Sequence, residues 1–140
     1  MSKCGIGLYV INSVEAVSLY KKVFGLELGY HVLNDDGSFF HSELCENDEP
    51  VIAVVEANAA ASGYNPVQLG YTFESAAELT RAFGLLSDGG NVLMAICSLP
   101  WSDCAAEVVD RFGIRWFLSV PQHRPPDDFT PEDYEEGAAK

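Results

Sequence analysis

The stretch Asn12-Ser13-Val14-Glu15-Ala16-Val17-Ser18-Leu19-Tyr20-Lys21-Lys22-Val23-Phe24-Gly25 decides the architecture. Ala16, Leu19, Tyr20, Val23 and Phe24 recur at i, i+3, i+4, i+7 and i+8, which puts one apolar stripe on a helix of about three turns. Asn12 or Ser13 can accept an orphan backbone N–H at its start, and Gly25 reaches the positive φ at which helices end. The spacing therefore predicts a helix over residues 12–24. Residues 5–10 before it read as a short strand. Three strand-like stretches follow it, at residues 27–33, 38–44 and 51–56. The turn-forming Asn34-Asp35-Asp36-Gly37 and the polar run Glu46-Asn47-Asp48-Glu49-Pro50 separate them.

Outward from there, the second half repeats the order. Residues 67–73 read as a strand, and Ser75 caps a helix whose stripe is Leu79, Ala82, Phe83 and Leu86. Gly89-Gly90 ends that connection. Strands follow at 91–97, 105–109 and 114–120, with Asp110-Arg111-Phe112-Gly113 as a tight turn. Such an internal repeat outranks any single residue. It predicts an α+β domain over residues 1–120, built from two βαβββ modules at about 5–57 and 66–120. The modules would form a curved eight-stranded mixed sheet with a concave cup and helices outside. Residues 121–140 form an acidic, proline-rich tail, with Pro121, Pro125, Pro126 and Pro131 and six acids against two bases. Such a tail buries too little apolar surface to offset its ordering entropy, although Phe129 and Tyr134 offer docking points.

The 140 residues hold 8 Lys and Arg against 21 Asp and Glu, a net charge of −13. A surface this negative repels phosphate backbones, so neither nucleic acid nor an anionic membrane is an expected partner. No apolar run approaches the roughly 20 residues of a membrane-spanning helix. The opening Met1-Ser2-Lys3-Cys4-Gly5 lacks the character of a secretory signal. A cytoplasmic protein is expected, with Cys4, Cys45, Cys97 and Cys104 as free thiols, since no C-x-x-C pair occurs. No Ser-His-Asp spacing, H-E-x-x-H or phosphate loop is present.

The segment from Ile11 to Gly25 resembles the first helix of the vicinal oxygen chelate superfamily, which includes glyoxalases, bleomycin-resistance proteins and extradiol dioxygenases. Trp101-Ser102-Asp103 followed by Asp110-Arg111-Phe112-Gly113-Ile114-Arg115-Trp116 is similar to the W-G-D…D-x-F-G-x-x-W signature of the PhnB-like subfamily. Phe40-His41-Ser42-Glu43-Leu44 and Gly89-Gly90-Asn91-Val92 agree with it too. The resemblance spans about residues 5–120. It implies a divalent-metal site with one ligand from each of four strands, at the places of Gly5, Ala53, Gln68 and Phe117. Only Gln68 carries a donor atom, so the departure predicts no metal and no cofactor. Some members carry a ubiquinone-methyltransferase name; no glycine-rich nucleotide loop supports that activity here.

Side chains alternate along strands, so the lost ligand places still mark an inner face. Tyr9, Phe39, His41, Glu43, Gln68, Arg115 and Phe117 are predicted to line the cup, with Phe40 and Leu44 on the core face. Trp101 walls the pocket, seals a dimer seam or packs in the core. Asp103 and Arg115 pair with each other or with solvent; His31 and His123 carry no motif. An aromatic pocket with a few convergent polar groups suits a small organic ligand. The expected function is metal-free binding of such a molecule by a homodimer, the subunit arrangement being implied by the resemblance. Three alternatives stand beside it. One is a lyase- or isomerase-type enzyme with His41 and Glu43 as acid and base. Another is an antibiotic-sequestering protein, and the third a dimeric scaffold whose cup is filled by its own aromatics.

Overall fold

The computed structural model describes residues 5–59, 65, 67–124, 127–128 and 130. The chain divides into two compact units, Met1–Gly63 and Tyr64–Lys140. Each holds a strand, a helix and three further strands, the repeat read from the sequence, and the α+β class is as expected.

The first unit runs β1 (Gly7–Val10), α1 (Ser13–Phe24), β2 (Glu27–Leu33), β3 (Phe39–Glu46) and β4 (Glu49–Glu56). Its four strands pair in the order β1-β4-β3-β2, with β1 parallel to β4 and the rest antiparallel. Helix α1 buries Ala16, Leu19, Tyr20, Val23 and Phe24, the predicted stripe, and Gly25 closes it at φ 66°. Leu8, Val10, Leu44, Ile52 and Val54 are buried on the strands, and Leu8 pairs with Val54 and Leu44 with Ile52. The start of α1 differs from expectation. Asn12 sits in the left-handed region at φ 67° and makes no side-chain cap. The carboxylate of Glu56 at the end of β4 caps instead, accepting from the N–H of Asn12 (3.0 Å) and of Ser13 (2.8 Å). An anion at a helix N-terminus satisfies orphan donors and meets the positive end of the helix dipole.

One facing prediction is reversed. Leu33 pairs with Phe39 and Val32 with His41, so Phe40 is the extra residue of a β-bulge. The bulge shifts the alternation by one. Phe39 is only 7% exposed, and its N–H donates to Ser13 Oγ at 2.9 Å. Phe40, expected in the core, is 64% exposed. Further along, Glu46 pairs with Glu49 across the two-residue turn Asn47-Asp48, whose φ values of 51° and 67° are those of a type I′ hairpin.

The second unit runs β5 (Leu69–Thr72), α2 (Ala76–Ser87), β6 (Asn91–Leu99), β7 (Ser102–Val109) and β8 (Arg115–Ser119). The strand order is β5-β8-β7-β6, again with one parallel pair, β5 with β8. Ser75 Oγ accepts from the Glu78 N–H at 3.2 Å, and the Glu78 carboxylate accepts from the Glu74 N–H at 3.2 Å. Leu79, Ala82 and Leu86 are fully buried, while Phe83 is half-buried. Ala106, Val108, Trp116 and Leu118 are buried on the sheet.

The Asp110–Gly113 turn explains the D-x-F-G-x-x-W spacing. Asp110 Oδ1 accepts from the N–H groups of Phe112 (2.9 Å) and Ile114 (3.1 Å), and Oδ2 accepts from Trp116 Nε1 (2.9 Å). Gly113 takes φ 88°, and its N–H reaches the Asp110 carbonyl at 3.0 Å. Gly90 is needed for close approach, because a Cβ there would lie 2.3 Å from the Val109 carbonyl oxygen. Strands β6 and β7 extend beyond expectation to meet at the Leu99–Ser102 pair. Ser102 and Asp103 lie outside the strands expected from sequence, yet Ser102 Oγ is buried and donates to the Val120 carbonyl at 3.1 Å. Where the tail begins, the His123 N–H donates to the Trp101 carbonyl at 2.7 Å. Phe129 and Tyr134 lie outside the described residues. Among the described residues, no helix is long and apolar enough to cross a membrane.

Candidate functional site

In the first unit, alternation and register put Gly7, Tyr9, Val32, His41, Glu43, Ala53 and Val55 on the face opposite the core residues. His41 and Glu43 are two apart on β3 and share that face, as expected. His41 Nε2 lies 3.2 Å from Glu43 Oε2, with the side chains 35% and 31% exposed. The Tyr30 ring is 6.1 Å from the imidazole. A carboxylate on one ring nitrogen orients an imidazole and leaves the other nitrogen free to exchange a proton.

A cleft of about 840 Å³ opens beside this pair. Tyr9, Phe40, His41 and Val55 supply rings and apolar surface, and Asn34, Asp36, Ser38, Glu56 and Asn58 supply polar groups. Tyr9 is 66% exposed. Phe39, expected in the cup, packs instead near Val14 and Val17 of α1. Asp36 and Glu56 both have carboxyls held below their usual range. Hydrogen bonds from the Ser38 side chain and amide act on Asp36, and those from the amides of Ser13 and then Asn12 act on Glu56.

In the second unit the predicted residues Gln68 and Arg115 meet through a residue the sequence reading missed. Gln68 Nε2 donates to Glu107 Oε2, and Arg115 donates to Glu107 Oε1 at 3.0 Å and to the Asn65 carbonyl at 3.1 Å. Asn65 in turn donates to the Gly113 carbonyl at 2.9 Å. Arg115 Nε is buried without a partner among the described residues, so this donor is shielded from a ligand. Of the two expectations for Asp103 and Arg115, a mutual pair or solvent, Arg115 pairs instead with Glu107, while Asp103 stands in solvent 3.7 Å from His123. Glu107 shares alternation with Ala105 and Val109 and pairs directly with Phe117. That parity with Phe117 is the one sequence signal that could have marked its face. Phe117 and Trp101 are half-buried and pack, with Cys97, against Met94, Leu99 and Ala105.

Of the four places that the resemblance assigns to a metal, Gly5, Ala53 and Phe117 offer no side-chain donor, which leaves Gln68 alone and does not fit the group. Among the described residues, no cluster of three or more His, Cys, Asp or Glu side chains is close enough to hold a metal ion. Burial pushes the thiols of Cys45, Cys97 and Cys104 up, and neighbouring carboxylates add to this at Cys45. A raised thiol holds less thiolate at neutral pH.

No protein-family profile and no curated protein sequence matches the chain. Solved structures do. A PhnB protein from Bacillus cereus aligns over 85% of this chain and 99% of its own, with a TM-score of 0.73 at 22% identity. Protein PA1353 from Pseudomonas aeruginosa aligns over 86% and 100%, with a TM-score of 0.66 at 23% identity. A glyoxalase-related enzyme from Fulvimarina pelagi aligns over 86% and 88%, with a TM-score of 0.64 at 15% identity. Together with the repeated βαβββ order and the mixed four-stranded pairing, these neighbours show that the chain has the fold shared by a PhnB protein and a glyoxalase-related enzyme, the fold that the sequence resemblance implies.

Proposed function

We propose that the chain binds a small organic molecule over the open face of its first unit, without a metal. One observation carries this reading: a cleft of about 840 Å³ whose wall combines two exposed aromatic rings with His41, the imidazole that Glu43 orients from beside it. Apolar surface supplies affinity in such sites, and a few placed polar groups supply orientation. Tyr9, His41 and Glu43 form the centre of the site, and Gln68, Arg115, Phe117 and Trp101 remain candidates on the second unit. A thermal-shift screen of neutral and cationic aromatic metabolites tests it. A ligand at about 100 times its Kd adds about 2.7 kcal/mol and raises the melting temperature. A broad set that shifts nothing overturns the proposal.

Two narrower readings have their own support. The 3.2 Å His41–Glu43 contact favours proton transfer on the bound molecule. In that case His41→Ala abolishes turnover and leaves binding within a few-fold. The cleft lining carries Asp36 and Glu56 and neither Lys nor Arg, which favours an organic cation and a sequestering role that needs no chemistry. A cytoplasmic homodimer completes the proposal, and light scattering that reports a monomer at micromolar concentration removes the dimer from it. Elemental analysis is expected to find no stoichiometric zinc, nickel, iron or manganese. Near one metal per chain, lost in His41→Ala, would overturn the metal-free reading.

A further inference from the structure

We infer that Phe40 is a ligand-stacking residue of the first unit's cleft, and that Ser13 and Glu56 are the positioning residues that deliver it there. The inference rests on the cleft being the binding site. In a regular β3, Phe40 would share a face with Ser42 and Leu44, both fully buried. The bulge removes it from that face. What holds the bulge is a chain of three hydrogen-bonded segments. The Phe39 N–H donates to Ser13 Oγ at 2.9 Å. The N–H of Ser13 donates to one oxygen of Glu56 at 2.8 Å. The other oxygen takes the N–H of Asn12, which is locked at φ 67°. Strand β4 thus fixes the start of α1, and the start of α1 fixes the residue before the bulge.

Ser13 is fully buried, so water cannot substitute in this relay. The outcome is a phenyl ring standing mostly in solvent on the same cleft as Tyr9. Two exposed rings beside carboxylates, with no Lys or Arg among the lining residues, suit a flat aromatic cation. Stacking and ring-face attraction for positive charge then act together.

The test uses the full chain with para-fluorophenylalanine at position 40, with thioflavin T as the flat cationic probe and anilinonaphthalene sulfonate as the anionic control. The fluorine resonance is expected to show the solvent-isotope shift of an exposed ring. Ser13→Ala is expected to move it and shrink that shift. Glu56→Gln, which keeps the side-chain shape and one acceptor oxygen, is expected to do so less. If Ser13→Ala fails to fold, Glu56→Gln carries the test alone. An unchanged resonance in the folded variants overturns the positioning role. Phe40→Ala removes an exposed ring, so its melting temperature is expected to match the wild type while thioflavin T binding weakens about tenfold. Equal affinity overturns the stacking role alone. Failure of the cleft reading shows differently: thioflavin T then does not bind the wild type, which overturns the stacking role whatever the fluorine spectrum reports. Tighter binding of the anionic control overturns the charge assignment.

Discussion

Asp110 satisfies three donors with two oxygens while almost wholly buried. Asp110→Ala leaves the indole N–H of the buried Trp116 and two turn amides without their acceptor. Hydrogen bonds to a charged group count for about 1.5–3 kcal/mol, and a stranded buried donor adds desolvation cost, so a loss of about 3 kcal/mol is expected in urea unfolding. Glu56 has a pH signature. Its carboxyl titrates below its ordinary 4.5 because the Ser13 and Asn12 amides favour the charged form. Its stabilising contribution is complete above the unfolded value and is lost as pH falls through the lower folded value. The stability gap between wild type and Glu56→Gln is therefore expected to narrow below about pH 4.5, as read by denaturant midpoints across pH. Both residues mark the boundary of what the sequence discloses. The Asp110–Trp116 spacing was visible as a motif, because a turn and its indole partner are six residues apart. The Glu56–Ser13 bond spans 43 positions, and no local pattern encodes it. Strand parity could mark the face of Glu107, but not its bonds to Gln68 and Arg115, which lie on two other segments.

At the scale of elements, periodicity gave both helices within a residue or two, because their stripes face one sheet each. Ser75 behaves as its position suggests, and Ser75→Ala is expected to cost about 1 kcal/mol of stability. Gly90→Ala is expected to be worse. Its Cβ would meet the carbonyl oxygens of Val109 and Leu86, which are backbone atoms that cannot swing away. A loss of more than about 2 kcal/mol is expected, seen as a fall of many degrees in the melting temperature. Strand facing was legible wherever alternation ran unbroken, as for Trp116 and Leu118. It failed at Phe39-Phe40, because a bulge leaves no trace in a period-two pattern when both residues are the same amino acid.

At the scale of the whole molecule, the repeat of βαβββ order was legible because each unit restates it independently in stripes and turns. The charge of −13 sets a global prediction. Like charges oppose compaction and salt screens them, so raising sodium chloride from about 0.01 M to about 1 M is expected to raise the melting temperature. An unchanged or lower value would show that the acids are locally compensated. The Asn47-Asp48 turn bears on the order of assembly. It joins β3 to β4 through two residues, whereas the whole of residues 11–48 lies between β1 and β4. Short loops close with less entropy loss, so this hairpin is expected to be the nucleus from which the first unit condenses, with the parallel β1 strand arriving last. Asp48 occupies a left-handed conformation that glycine adopts without strain. Asp48→Gly should then accelerate refolding in stopped-flow measurements while leaving the unfolding rate almost unchanged, the signature of a contact already formed at the barrier.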